Sequence, residues 1–243
     1  MLSEFAIDIL CLTETWHEDI SDVPIRRLRA NGFQVIERAR PRKSSTVSES
    51  VNFTNHGGIA IVASTRVKVT KLSPNFEPST FELLCARISS CGASCIAAAL
   101  YRPGSENVNE LFFDEFAKLL EYLLSFSSPF FITCDINVHF ERTDDAVTVR
   151  MCDLLASYGA SQHVYQPTHD LGGVLDVIIT ADDTQPTSVA VDDPGLSDHR
   201  LVHWQSGLRL STEPVYVERE CRLWRNFDLE QLISQCIAVV MFV

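Results

Sequence analysis

Short apolar runs recur along the chain and predict a protein built mainly from β-strands. Each run is rich in Val, Ile or Phe and is bounded by polar or turn-forming residues, which is the pattern of a strand. The predicted strands span residues 5–12, 32–36, 57–63, 81–88, 94–101, 130–134, 175–180, 188–191 and 200–205.

Apolar residues at three- and four-residue steps predict helices between some of these strands. The clearest helix spans residues 109–126, a second spans 144–158 and a third, short and basic, spans 24–30. Other strands follow one another without a helix. The pattern therefore favours an α/β sandwich of two face-packed mixed β-sheets with helices outside over a strictly alternating α/β fold.

The length and composition fit one globular domain followed by a tail. A chain of 243 residues with 46% hydrophobic residues can bury a single large core. The apolar periodicity fades after Gln205, so we place the domain at residues 1–208 and the tail at 209–243. Eight cysteines without zinc-binding spacing, a start unlike a signal peptide and no run long enough to cross a bilayer predict an intracellular protein that engages no membrane.

The formal net charge of −12 argues against binding nucleic acid through charge alone, because that mode needs many Lys and Arg residues on phosphates. The charge is uneven, however, since residues 26–43 carry seven basic residues against one Glu. Two interpretations stay open: a solvated face near a loop, or an arm that steers a nucleic-acid backbone toward an acidic site.

Four carboxylates stand at the ends of predicted strands. Glu14 and Asp135 follow apolar runs, whereas Asp176 and Asp198 precede them. If the first two strands run toward one edge of a sheet core and the last two run away from it, all four acids meet at that edge. Carboxylate oxygens gathered in this way bind a hard divalent cation. A single acid at a strand end is usually a solvated turn residue, so the prediction depends on the four together.

Polar companions of these acids suit phosphate chemistry. Tyr101 and Arg102 end a strand, and a hydroxyl beside a guanidinium suits a phosphate; a half-buried Tyr and a solvated Arg are the alternative. Asn137 lies two residues after Asp135, on the same side of an extended segment, although both residue types also form plain turns. His199 becomes a general base or phosphate donor when a second carboxylate fixes its tautomer; otherwise a His beside a strand is usually only packed or solvated.

Six motifs, in this order, resemble the endonuclease/exonuclease/phosphatase superfamily. They are Leu12-Thr13-Glu14-Thr15-Trp16, Gly57-Gly58-Ile59-Ala60-Ile61, Tyr101-Arg102-Pro103, Asp135-x-Asn137, the Pro-Thr-His to Leu-Asp stretch at 167–176, and Ser197-Asp198-His199. In particular, residues 5 to about 205 are similar to the apurinic/apyrimidinic-endonuclease-like domain of non-LTR retrotransposon polyproteins. The resemblance implies a four-layer, DNase-I-like sandwich and a nuclease that depends on Mg²⁺, with Mn²⁺ able to substitute.

The resemblance also implies how the acids divide the chemistry. Glu14 is then the main Mg²⁺ ligand and Asp198 an additional one. Asp135 activates the attacking water or stabilises the departing oxygen, and Asp176 orients His199 toward the phosphate. The general base stays open between Asp135 and His199.

The remaining assignments concern the substrate and the partners. Asn137 and Tyr101 are expected to hold the phosphate, and Arg102 and Ser197 to bind the substrate. DNA is the expected partner, together with a reverse transcriptase domain in a full-length parent element and no small-molecule cofactor. Two other functions stay open: a catalytically inactive remnant of a mobile element, and a phosphatase of the same superfamily.

Two departures from the superfamily pattern accompany the resemblance. Cys134 stands where the superfamily has a Gly before the catalytic Asp. The first strand of the superfamily, which bears an Asn that supports the metal site, should precede Phe5, and Met1 leaves no room for it. The resemblance therefore predicts a domain that lacks this strand.

Overall fold

The structure of the protein is a computed structural model that describes residues 7–40, 57–90, 92–105 and 107–207, all within one compact unit. The tail predicted at 209–243 lies outside the described residues. The described strands and helices are β1 Ile9–Leu12, α1 Val23–Ala30, β2 Gln34–Arg38, β3 Ile59–Ala63, β4 Lys68–Leu72, β5 Glu82–Ser90, β6 Ala93–Tyr101, α2 Glu110–Leu124, β7 Phe130–Asp135, α3 Ala146–Ser157, β8 Ala160–Gln162, β9 Asp176–Ala181, β10 Thr187–Asp192 and β11 Leu201–Gln205. None of these helices is both long and apolar enough to cross a membrane.

A six-stranded sheet in the order β4-β5-β6-β7-β9-β8 forms the centre of the molecule. Only β6 and β7 run parallel, and α2 makes the crossover that a parallel pair requires. Both strands therefore end at the same edge, where Tyr101 pairs with Asp135. The antiparallel strand β9 begins there, with Asp176 opposite Asp135. This register sets the position of the candidate site.

A three-stranded sheet, β1-β3-β2, packs on the central sheet through β3, which contacts β5 and β6. Alternate side chains of β3 point to opposite faces. Ile59 and Ile61 enter the main core, whereas Val62 joins Ile25 and Val35 beneath α1. The helix thus covers the outer face of this sheet, and the other face belongs to the interior of the sandwich.

The last two strands, β10 and β11, form an antiparallel ribbon that also packs on the main core. The Trp204 ring lies 6.2 Å from the Phe131 ring of β7. The predicted α/β sandwich of face-packed mixed sheets with helices outside is confirmed. In the described residues, however, the layer opposite the central sheet consists of two separate pieces, the three-stranded sheet and this ribbon.

Candidate active site at one edge of the central sheet

Asp135 and Asp176 face each other where β7 ends and β9 begins. Asp135 is only 3% exposed. Burial, together with the negative charge of Asp176, raises the pKa of Asp135 to about 7. Removing water and adding a like charge both disfavour the carboxylate form. Asp135 can therefore exchange a proton near neutral pH, and a cation beside it would favour its ionised form.

His199 and Asp176, which the resemblance pairs, lie in hydrogen-bond contact. The Nδ1 of His199 donates to Asp176 Oδ2 at 2.8 Å. This hydrogen bond is the main reason that the pKa of His199 rises to about 9. The pairing fixes the orientation of the ring and occupies Nδ1, so Nε2 is the nitrogen that can meet a substrate.

Asn137 is held against Asp135 by a direct hydrogen bond. Its Nδ2 donates to Asp135 Oδ1 and to the carbonyl of Arg102, both at 2.9 Å. The backbone at Asn137 is left-handed, with φ 51°, and β7 ends at Asp135, so the extended strand does not continue through Asn137. A Cβ on Gly104 would lie 2.8 Å from Asn137 Oδ1, so the glycine makes room for this amide.

Arg102 lies beneath the loop that carries Asn137. The residue is 4% exposed, and its guanidinium donates to the carbonyls of Ile136, Pro103 and Asn137 at 2.7, 3.1 and 2.8 Å. Because the guanidinium is buried and hydrogen-bonded to three carbonyls, it fixes the conformation of the loop. The placement favours a structural role for Arg102 over the predicted contact with a substrate.

Glu14 reaches the same edge from the other layer of the sandwich. The Tyr101 hydroxyl donates to Glu14 Oε1, while Tyr101 itself is 4% exposed. Burial, and then the hydrogen bond to Glu14, raises the pKa of Tyr101. The negative charge of Glu14 also contributes to the raised pKa of Asp135. Glu14, Tyr101 and Asp135 therefore form one electrostatic unit.

The turn that carries Glu14 has an unusual backbone, with φ 48° at Glu14 and 51° at Trp16. A buried histidine, His17, supports it: Nδ1 accepts from the Thr15 hydroxyl at 2.6 Å and Nε2 donates to Glu37 Oε2 at 2.7 Å. His17 and Glu37 were not predicted as site residues from the sequence. The available signal was a histidine directly after the Glu-Thr-Trp motif, in a position that a strand-to-helix connection usually exposes.

Asp198 and Ser197 lie on the loop between β10 and β11. Asp198 is exposed and its Oδ2 lies 3.3 Å from Nε2 of His169, whose ring meets the His199 ring edge-on at 4.9 Å. The Ser197 hydroxyl bonds the backbone N–H and carbonyl of His199, both at 3.1 Å, and so closes a local turn. The predicted contact of Ser197 with the substrate stays a prediction. His169 lies within the motif at 167–176, but the sequence predicted no role for it.

The potential metal ligands fall into two groups, and within each group the ligand atoms lie within 4.8 Å of one another. Asp135, Asp176 and His199 form one group; His169, Asp198 and His199 form the other. Within the described residues, Glu14 belongs to neither. The first group lies beside Glu14 and is rich in carboxylate oxygen, which fits a hard divalent cation. The raised pKa of Asp135 supports this fit, because a cation would relieve the repulsion between the acids.

The edge thus combines paired acids, an oriented imidazole and an amide, which are the groups used to hydrolyse phosphate esters. Residues 1–199 match the model of the Endonuclease/Exonuclease/phosphatase family, and the chain belongs to that family. Its fold is DNase-I-like. No curated protein sequence matches the chain significantly.

Several solved structures share this fold. The endonuclease domain of TRAS1, a telomere-specific non-LTR retrotransposon, is 13% identical, covers 86% of this chain and 90% of its own, and has a TM-score of 0.61. An AP endonuclease from Archaeoglobus fulgidus is 18% identical, with 85% and 91% covered and a TM-score of 0.59. The 3' phosphatase NExo from Neisseria, bound to a product DNA hairpin, is 16% identical, with 85% and 91% covered and a TM-score of 0.57.

Proposed function

We propose that the protein is a Mg²⁺-dependent endonuclease that nicks DNA phosphodiesters, as in target-primed reverse transcription by non-LTR retrotransposons. The observation that carries the proposal is the pairing of Asp135 and Asp176 across two strands, with His199 fixed on Asp176 at 2.8 Å. The similarity in fold to the TRAS1 endonuclease domain supports the choice of DNA over other phosphate esters. A reverse transcriptase domain in a parent element is part of the same proposal.

Glu14 and Asp198 are the proposed ligands of the cation, and Asp135 is close enough to Glu14 to feel its charge. A bound Mg²⁺ would polarise a phosphoryl oxygen and neutralise charge that develops on the leaving group. The Tyr101 hydroxyl fixes Glu14 Oε1, so this carboxylate presents its second oxygen in one direction. Mn²⁺ offers the same preference for oxygen and should substitute.

Asp135 is the group best placed to accept a proton from water. Its pKa of about 7 brings the carboxylate and carboxyl forms close in energy at neutral pH. Asn137 donates to Asp135 Oδ1, which leaves Oδ2 for the water. His199, whose pKa is about 9, is charged at neutral pH and donates from Nε2 to a phosphoryl oxygen. We therefore assign the general base to Asp135.

Plasmid nicking tests the proposal directly. Purified protein is incubated with supercoiled plasmid and Mg²⁺, with EDTA, and with Mn²⁺ after EDTA removal. We expect open-circular DNA only when a divalent cation is present, and at least a hundredfold slower nicking in Asp135→Asn. His203→Ala is the matched control, since His203 also binds an aspartate, Asp192, at 2.8 Å, but on the exposed β10–β11 ribbon.

Three results would contradict the proposal, each in a different way. Equal nicking with and without EDTA would show that the reaction does not depend on a metal. No nicking under any condition by a well-folded protein would favour an inactive remnant. Release of phosphate from a 3'-phosphorylated oligonucleotide without nicking of intact duplex would favour a phosphatase of the same family.

A further inference from the structure

We propose that His169 is a positioning residue that orients the carboxylate of Asp198 toward the cation. This inference rests on the proposed function, because it gives His169 a part in the binding of the metal. His169 lies 29 positions before Asp198 in the sequence, on the loop that leads into β9.

The backbone fixes the tautomer of His169. The N–H of Leu171 donates to His169 Nδ1 at 3.1 Å. An imidazole nitrogen that accepts a hydrogen bond carries no proton, so in the neutral ring the proton lies on Nε2. This is the nitrogen that lies 3.3 Å from Asp198 Oδ2. In the neutral ring the N–H side of His169 is therefore the side that lies close to the Asp198 carboxylate, and the ring cannot rotate without losing the bond from Leu171.

The two loops are joined by backbone hydrogen bonds on both sides of this contact. The N–H of Asp170 donates to the carbonyl of Asp198 at 3.0 Å, and the N–H of Arg200 donates to the carbonyl of Thr168 at 2.8 Å. His169 and His199 form an isolated antiparallel bridge between them. The imidazole and the carboxylate are thus held by the same short stretch of backbone pairing.

Asp198 needs such support more than Asp176 does. Its side chain is 68% exposed, whereas that of Asp176 is 19% exposed and packed beside His199. An exposed carboxylate samples several rotamers, and fixing it on a cation costs conformational entropy. A polar N–H close to the carboxylate limits its rotamers before the cation arrives, and so reduces this cost. His169 would therefore strengthen metal binding without touching the substrate.

His169 is less well suited to bind the metal itself. A metal-ligating imidazole needs a lone pair on the ligating nitrogen and usually donates from the other nitrogen. His199 does donate from Nδ1, to Asp176, but in the proposed function its charged ring also donates from Nε2, to the phosphate. His169 has the opposite arrangement, since its Nδ1 accepts and its Nε2 carries the proton. The two histidines that meet edge-on therefore serve different purposes.

The test compares His169→Leu, which removes the donor, with His169→Gln, whose amide N–H can replace it. Mn²⁺ binding is measured by electron paramagnetic resonance of the free ion, and the Mg²⁺ concentration for half-maximal nicking is measured separately. We expect His169→Leu to weaken Mn²⁺ binding about tenfold and to raise the Mg²⁺ requirement to match, with the rate at saturating Mg²⁺ changed little. His169→Gln should restore most of the affinity. His203→Gln is the matched control.

The Asp198→Asn background removes the effect of a folding defect. In that background His169→Leu should cause no further loss of Mn²⁺ affinity, because the carboxylate that it positions is gone. Unchanged Mn²⁺ binding by His169→Leu in an otherwise active protein would overturn this inference but not the proposed function. Equal weakening by His169→Leu and His169→Gln would also overturn it, since His169 would then be a ligand. A wild-type protein that neither binds Mn²⁺ nor nicks DNA would overturn the proposed function, and this inference with it.

Discussion

The adjacent residues Asp198 and His199 each contact one side chain at the site. Asp198 contacts His169, and His199 contacts Asp176. The pair of Asp176 and His199 could be predicted from the sequence, because an acid at the start of one strand and a histidine before another suit each other at a common edge. The contact of His169 with Asp198 could not, because it depends on how two loops pair their backbones. The burial of Arg102 could not be predicted either: the residue type suits a phosphate, but its guanidinium is buried and donates to backbone carbonyls, and its contact with a substrate stays a prediction.

The link between Asp176 and His199 makes a prediction about both pKa and rate. Asp176→Asn removes the carboxylate that raises the pKa of His199, so that pKa should fall from about 9 toward its ordinary value. Any stability that the charged pair gives is complete below the ordinary pKa of histidine and is lost as the pH rises through about 9. Asp176→Asn should therefore flatten the fall in melting temperature between about pH 6.5 and pH 9. Thermal melts in EDTA, with imidazole titration by NMR, measure both effects.

The same pair should act as one unit in nicking. Asp176→Asn and His199→Ala should each lower the rate, and the double variant should be little slower than His199→Ala alone. A double variant whose loss equals the product of the two single losses would contradict the pairing, as would a His199 pKa that stays near 9 in Asp176→Asn.

Strong periodicity and burial decided which elements could be predicted. The predicted strand at 130–134 and the helix at 109–126 lie within one or two residues of β7 and α2 at each end. The strand β4, Lys68–Leu72, was missed because its side chains are mostly polar and exposed, so it carries no apolar run. The strand β8 was missed because it has only three residues, Ala-Ser-Gln. Both lie at the outer edges of the central sheet, where packing demands little of the sequence.

The connection between β1 and α1 should depend on His17. His17→Leu leaves Glu37, whose side chain is 16% exposed, without the donor that binds it at 2.7 Å, and leaves the Thr15 hydroxyl without its acceptor. We expect the free energy of unfolding to fall by about 1–3 kcal/mol, the usual cost of unsatisfied buried polar groups. Urea denaturation monitored by circular dichroism measures the change.

A second His–Glu pair gives the control for this prediction. His139 and Glu141 are joined at 2.6 Å, but their side chains are 40% and 30% exposed. His139→Leu should therefore cost at most about 1 kcal/mol. Equal losses from the two substitutions would show that burial of His17 does not stabilise the turn that carries Glu14.

The fold divides the basic segment at 26–43 into separate parts. Arg26 and Arg27 are exposed on α1. Arg38 pairs with Glu77, while Arg40 pairs with Glu82 and places its guanidinium 5.4 Å from the centre of the Tyr101 ring. The sequence showed the cluster but not this division, because the register of β2 with β3 decides which arginines reach the active-site edge. Residues 42 and 43 lie outside the described residues.

This division predicts that Arg40, rather than the arginines of α1, guides DNA to the site. Removing one side chain that neutralises a DNA phosphate lowers the slope of log affinity against log salt by about 0.9. Arg40→Gln should therefore reduce kcat/KM for nicking several-fold at about 50 mM salt, and the slope between about 50 and 200 mM salt should fall by about one. Arg26→Gln, at an exposed helical site, should leave the rate within about twofold. Melting temperatures of both variants show whether the Arg40–Glu82 pair is also needed for stability. A larger decrease in slope for Arg26→Gln than for Arg40→Gln would place the DNA along α1, and the chain would then steer its substrate across the outer face of the three-stranded sheet.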